Sequence, residues 1–249
     1  MHMKKKYIYI LIIYVAAQLS TLVAVPLLSV VATVGFNDNS IDTKYLIIGG
    51  WFLFSFFAAL AGILLILRKS EPYTKVEKGT PMPLGGAIGW GVLGVFLAFI
   101  AQAVAILIET AIGIDPGSEN TQDLLDMINF FPWIIIIISI VGPILEEIVF
   151  RKVIFGMFYN RFPFWAAALL SSLIFSVAHM DFTHILLYTA MGFVFAFLYV
   201  RTKRIIVPII AHVMMNTMVI IVQYVAVRYL ENYIKETEKM LNWIGGFFL

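Results

Sequence analysis

The sequence contains no cysteine. That excludes disulfides, cysteine-bound metals and thiol nucleophiles. Charge is scarce as well: 13% of the 249 residues are charged, against about 25% in soluble domains. Also missing are an H-E-x-x-H zinc helix, a G-x-S-x-G-like serine motif with a matching histidine, and a G-x-G-D element of paired-aspartate sites. No loop is long enough for a soluble domain, and there is no repeat or low-complexity tract. The formal net charge of +2 says little by itself, and no nucleic-acid partner is expected.

What is present is apolar. Hydrophobic residues make up 61% of the chain, with a mean hydropathy of +0.95. Several uninterrupted runs exceed the ~20 residues that a helix needs to cross a bilayer. Breaks at charged or turn-forming stretches predict seven spans, at about 7–34, 45–67, 84–112, 128–158, 163–180, 184–200 and 205–227. The first apolar run is far longer than the roughly 7–15 residues of a cleavable signal core, so it reads as a retained span. The fourth is too long for a straight perpendicular crossing. It contains Gly142-Pro143, where proline removes a backbone donor and predicts a kink or break. The tail, 228–249, reads as an interfacial helix or an eighth membrane element. The expected fold is therefore all-α: one polytopic membrane domain over 1–249, with seven to eight transmembrane helices and a kinked fourth span. Residues 1–127 supply three spans without motifs, and 128–220 form a motif-bearing core.

Loop charges alternate. Lys4–Lys6, then Arg68, Lys69, Lys75 and Lys78, then Arg161, then Arg201, Lys203 and Arg204 fall on one side. Asp38 and Asp42, then Asp115, Glu119, Asp123 and Asp126, fall on the other. The positive-inside rule then predicts a multi-pass protein of the cell membrane with a cytoplasmic N-terminus.

Against this background the stretch GPILEEIVFR, residues 142–151, needs an explanation. Glu146, Glu147, Arg151 and Lys152 would together cost on the order of 10 kcal/mol facing lipid, at about 2.5–3.5 kcal/mol each. Glu147 and Arg151 stand at i and i+4, so they can pair on one face. Glu146 lies about 100° around the helix from Glu147, outside that pair. Lys152 is near enough to the cytoplasmic end to snorkel. Two further polar groups sit in apolar surroundings: His179, and His212 with Asn216 at i+4. Counted from the turn at Arg161-Phe162, Glu146 and His179 both lie roughly 22–25 Å deep at 1.5 Å per residue. His212 and Asn216 lie roughly 12–18 Å from the turn at Arg204. A carboxylate, two imidazoles and an amide thus converge from spans four, five and seven, in a pocket expected to open toward the cytoplasmic half.

These residues spell E-E-x-x-x-R (146–151), F-x-x-x-H (175–179) and H-x-x-x-N (212–216). In order and separation they resemble the CPBP family of intramembrane proteases. That family includes CAAX-processing prenyl endopeptidases and bacterial proteins of bacteriocin processing or self-immunity, also called the Abi family. The resemblance covers about residues 128–220. It implies a catalytic set of Glu146, His179, His212 and Asn216, supported by Glu147 and Arg151. His184 has no counterpart in the motifs and reads as an interfacial or packing residue.

Hydrolysis inside a membrane needs a water, a base and a stabiliser for the oxyanion. Glu146 is the expected base, His179 shares or orients the water, and His212 and Asn216 offer hydrogen bonds to the oxyanion. The same set leaves a divalent metal such as zinc open as an equal alternative. The expected substrate is a membrane-associated peptide or membrane-protein segment, and the compact chain with short loops looks bacterial. A proton-coupled transporter and a non-catalytic scaffold of the same fold are the competing classes.

Overall fold

A computed structural model describes residues 5–38, 40–68, 71–115 and 127–245. Lys4, Lys69, Glu119, Asp123 and Asp126, and the tail end 246–249, lie outside the described residues. Seven helical passages occur where the apolar runs place them: α1 (Lys5–Phe36), α2 (Ile41–Arg68), α3 (Leu84–Ala111), α4 (134–159), α5 (Phe164–Ala178), α6 (Ile185–Thr202) and α7 (Ile206–Gly245). No strand occurs among the described residues. The chain is thus a polytopic helical membrane protein. Five of the helices are long and apolar enough to cross a bilayer. The other two are α5, only 15 residues long, and α4, which is segmented.

The tail does not fold as a separate piece. Residues 228–245 continue α7, a single helix of 40 residues and about 60 Å.

α4 is the centre of the bundle and touches α1, α2, α5, α6 and α7. Its core-facing residues include Leu145, Ile148, Val149, Phe150 and Val153, all at most 3% exposed. α1, by contrast, buries only Tyr7, Ile10 and Tyr14 in 32 residues and leaves Leu22, Val23 and Leu27 open. That apolar outer surface suits lipid, where each helix already satisfies its own backbone. α3 approaches α6 and α7 closely at Gly94, where an added Cβ would lie 2.5 Å from Leu198 and 2.9 Å from Ala211.

The anticipated break at Gly142-Pro143 takes the form of a widened turn. Residues Ile137–Val141 are π-helical, and the helix then resumes through Gly142–Glu146 before a second wide segment, Glu147–Phe155. The Gly142 N–H donates to the Ile137 carbonyl, five residues back. A Cβ on Gly142 would sit 2.9 Å from that same oxygen, so glycine is what lets the wide turn close.

The basic segments meet at one end of the bundle. Lys6 Nζ donates to the Glu71 carbonyl (2.5 Å), the Lys75 N–H to Asn160 Oδ1 (2.8 Å), and the Met82 N–H to the Thr202 carbonyl (2.9 Å). Arg204 Nε donates to the Met82 carbonyl (2.6 Å). The loop between α2 and α3 is therefore tied to the N-terminal end of α1, the α4–α5 turn and the α6–α7 turn.

Lys152, expected to snorkel outward, instead turns into this loop, with Nζ 2.5 Å from Glu77 Oε1. Glu77 Oε2 accepts from the Tyr7 hydroxyl at 2.6 Å and from the backbone N–H groups of Tyr73 and Thr74 at 3.0 and 2.9 Å. Burial pushes the Glu77 carboxyl up, but the hydrogen bonds from Lys152, Thr74 and Tyr7 outweigh it and hold its pKa at about 2. A depressed carboxyl contributes stability above its unfolded pKa and loses it as pH falls through the folded value. The contribution is about 2–3 kcal/mol. Thermal unfolding in detergent is therefore expected to drop in Tm between about pH 4.5 and pH 2. Glu77→Gln should flatten that dependence and lower the Tm at pH 7. A wild-type and variant pair with parallel pH profiles would show that the cluster contributes nothing.

Candidate active site

The residues singled out by the sequence come together on α4 and two helices packed against it, α5 and α7. Glu146 ends the middle α-helical segment of α4, and Glu147 opens its second wide segment. His179 caps the C-terminal end of α5, which the left-handed Met180 (φ 57°) terminates. His212 and Asn216 stand one turn apart on α7. Glu146, His179, His212 and Asn216 all line one cavity of about 610 Å³.

Each imidazole is held through its Nδ1. In His179 that atom lies 2.8 Å from the Phe175 carbonyl, which can only accept, so Nδ1 carries the proton and Nε2 of the neutral ring is an acceptor. The ring is clamped between Phe175 (4.4 Å between centroids) and a stacked Tyr188 (4.3 Å). In His212, Nδ1 lies 2.9 Å from Glu147 Oε1, and the ring stacks on Phe195 at 4.7 Å. Its Nε2 is then aimed at Glu146, 3.7 Å from Oε2. That separation is too long for a direct hydrogen bond, but one water can touch both atoms.

Glu147 is fully buried and serves two partners. Oε2 lies 3.2 Å from Arg151 Nε, the i,i+4 pair anticipated from spacing, while Oε1 holds His212. Arg151, 1% exposed, has its guanidinium over the Phe175 ring at 4.2 Å and near Phe195 at 5.3 Å. Glu146 is the contrasting carboxylate, with its side chain 18% exposed and facing the cavity. Asn216 Nδ2 donates to the Ile138 carbonyl at 3.2 Å.

Two contributions escaped the sequence reading. α1 brings Tyr14 and Gln18 into the cavity wall, with Gln18 Nε2 donating to the Tyr14 hydroxyl at 3.1 Å. α3 supplies Glu109, 3% exposed, whose Oε2 lies 2.9 Å from His184 Nδ1 and whose Oε1 accepts the Leu187 N–H. Of its two expected readings His184 takes the packing one: it is a buried partner of α3 at the cavity wall. An ionisable residue inside the apolar run 84–112 was the available signal for Glu109.

The pocket also extends the other way from the one expected. Its lining runs from Tyr14, Phe56 and Glu146 at mid-bundle to Met127, His184 and Gln223, toward the acidic end. His212 is nearer the basic end, and no residue of the tied loops there lines the cavity.

Among the described residues no three His, Asp or Glu side chains come together to hold an ion. The Nδ1 bonds leave both Nε2 atoms free, an orientation that a metal could also use, but the two rings and Glu146 are not gathered closely enough around one point to hold an ion.

Membrane helices that bring a carboxylate and two oriented imidazoles to one cavity supply the groups an intramembrane peptidase needs. The comparisons with known proteins agree. Residues 128–218 match the family described as Rce1-like, type II CAAX prenyl endopeptidase. The chain is 47% identical over 252 residues to "Putative membrane peptidase YdiL" of Bacillus subtilis (strain 168), covering 99% of this chain and all of the relative. It is 38% identical to "Membrane-embedded CAAX protease MroQ" of Staphylococcus aureus (strain USA300), over 78% of this chain and 80% of that one. It is 30% identical to "UPF0177 protein YbdI" of Lactococcus lactis subsp. lactis (strain IL1403), over 54% of this chain and 73% of that one. No solved structure matches. The chain belongs to the Rce1-like family of type II CAAX prenyl endopeptidases, and it is a membrane protease.

Proposed function

We propose that the protein is an endopeptidase that hydrolyses a bond in a membrane-associated peptide or protein segment with a water activated by Glu146. The observation that carries this reading is the placement of Glu146 Oε2 3.7 Å from His212 Nε2, in a cavity shared with His179. Glu146 is the base. The acceptor Nε2 of His179 orients the water for attack. His212, held by Glu147 through Nδ1, turns Nε2 toward the carbonyl oxygen as it becomes an oxyanion and donates to it when that atom carries a proton. Glu147 and Arg151 support that geometry, and Asn216 completes the set. Water, one base and a donor suffice for the step, so the reading needs no metal.

The cavity wall is mostly apolar, with the uncharged amides of Gln18, Gln102 and Gln223 among Ile106, Ile137 and Met191. Such a wall suits an extended apolar peptide whose backbone the amides can bond. MroQ is named a CAAX protease, and by this likeness CAAX-type chemistry is proposed here too. The basic end is proposed to face the cytoplasm. The chain has no cysteine, so single substitutions report this directly: Lys78→Cys should resist an impermeant thiol reagent in intact cells, whereas Asp42→Cys should react. The reverse pattern would invert the topology.

The test of function is cleavage of an internally quenched apolar peptide library by purified protein in proteoliposomes. Turnover is expected in EDTA or phenanthroline at the rate seen without them, and His179→Ala should lose about 10²-fold or more. Loss of turnover in chelator would overturn the metal-free mechanism.

A further inference from the structure

The Ile138 carbonyl is left without a helical donor by two separate features of α4. In an α-helix it would accept from the N–H of residue 142. That N–H is spent on Ile137 instead. In the wide register it would accept from the N–H of residue 143, which is a proline and has none. The partner it does have comes from 78 residues away: Asn216 Nδ2, at 3.2 Å. A carbonyl can only accept, so the amide orientation of Asn216 is fixed by this bond.

The consequence falls on the base. Gly142, the residue that closes the wide turn, also lies beneath the Glu146 carboxylate: a Cβ built there would stand 4.0 Å from Glu146 Oε1. The turn at 137–141 is therefore the floor on which Glu146 rests, and Asn216 ties that floor to α7. The same helix carries His212, one turn earlier. A single side chain thus fixes the position of Glu146 relative to the imidazole 3.7 Å away.

We infer that Asn216 is a positioning residue, whose amide replaces the N–H missing at Pro143 and holds the wide turn beneath Glu146. This rests on the reading of Glu146 as the base. It moves Asn216 from the oxyanion, where the sequence motif suggested it, to the backbone of the catalytic helix.

If so, the function of the amide can be supplied from elsewhere. Pro143→Ala restores an N–H that reaches the Ile138 carbonyl in the wide register, and in an ordinary α-helical register the residue 142 N–H would reach it. The experiment compares wild type, Asn216→Ala, Pro143→Ala and the double variant in detergent, by Tm and by peptide turnover. Asn216→Ala should lower the Tm by about 3–10 °C, because a buried carbonyl loses its donor. It should also lower kcat about 10²-fold, the scale of a misplaced catalytic group. In the double variant both the Tm and most of kcat should return toward the Pro143→Ala values. The space left by alanine is the same in both backgrounds, so it cancels in the comparison. Additive losses, with no recovery of Tm, would overturn the inference. So would recovery of Tm without kcat, which would return Asn216 to direct contact with the oxyanion. The Tm cycle needs no substrate, so a wild type that cleaves nothing would sink the proposed function while the clamp was still read.

Discussion

Glu146→Gln is expected to lower kcat at least about 10³-fold, with little change in KM and a Tm within a few degrees of wild type. Glutamine matches glutamate in shape and still fills the space above Gly142 and beside His212 Nε2. What it lacks is the capacity to accept a proton from water. The fold should tolerate the change, because Glu146 is partly open to the cavity and its contact with His212 is loose. A structural carboxylate would behave in the opposite way, losing stability before activity. Turnover of fluorogenic peptide and thermal unfolding of the same preparation decide between the two. Turnover within tenfold of wild type would remove Glu146 from the role of base.

The sequence made the span pattern legible because lipid imposes a simple rule: long apolar runs, interrupted by charge. Six of the seven helices lie within about six residues of their expected positions, and the seventh starts where expected but runs on to Gly245. The Glu147–Arg151 pair was equally legible, since i,i+4 spacing is local. What spacing could not give was the second partner of Glu147, because His212 is 65 residues away and meets it only through packing of α7 on α4. Lys152 shows the same limit. Its depth allowed an outward path, but Glu77 in a loop 75 residues earlier captures it. The direction of the cavity was misread for a related reason. Distance from the basic turn says how deep a residue lies, not toward which end the cavity extends. Gly142-Pro143 announced an irregularity, and helix chemistry turned it into wide turns rather than a break.

The second large effect concerns Glu147, whose stability and catalytic parts can be separated. Glu147→Gln removes the carboxylate that Arg151 pairs with directly and leaves a buried cation over the faces of Phe175 and Phe195, with Glu146 acting on it only at longer range. Cation–π contacts are worth about 0.5–2 kcal/mol, whereas breaking a buried pair costs about 3–5 kcal/mol. The rings cannot make up the difference, so a fall in unfolding free energy of about 3 kcal/mol or more is expected. Arg151→Met in the same chain removes the uncompensated charge, and a buried pair replaced on both sides is often close to neutral. The double variant should therefore regain most of the lost stability. Activity should not follow. A neutral amide at residue 147 no longer holds the His212 ring through a charged acceptor at Nδ1, whichever residue stands at 151. Thermal unfolding and peptide turnover of the two single variants and the double are thus expected to part company. Recovery of both together would make the carboxylate a partner of Arg151 alone. Recovery of neither would mean that α4 needs the ion pair itself, not merely the absence of an unpaired charge.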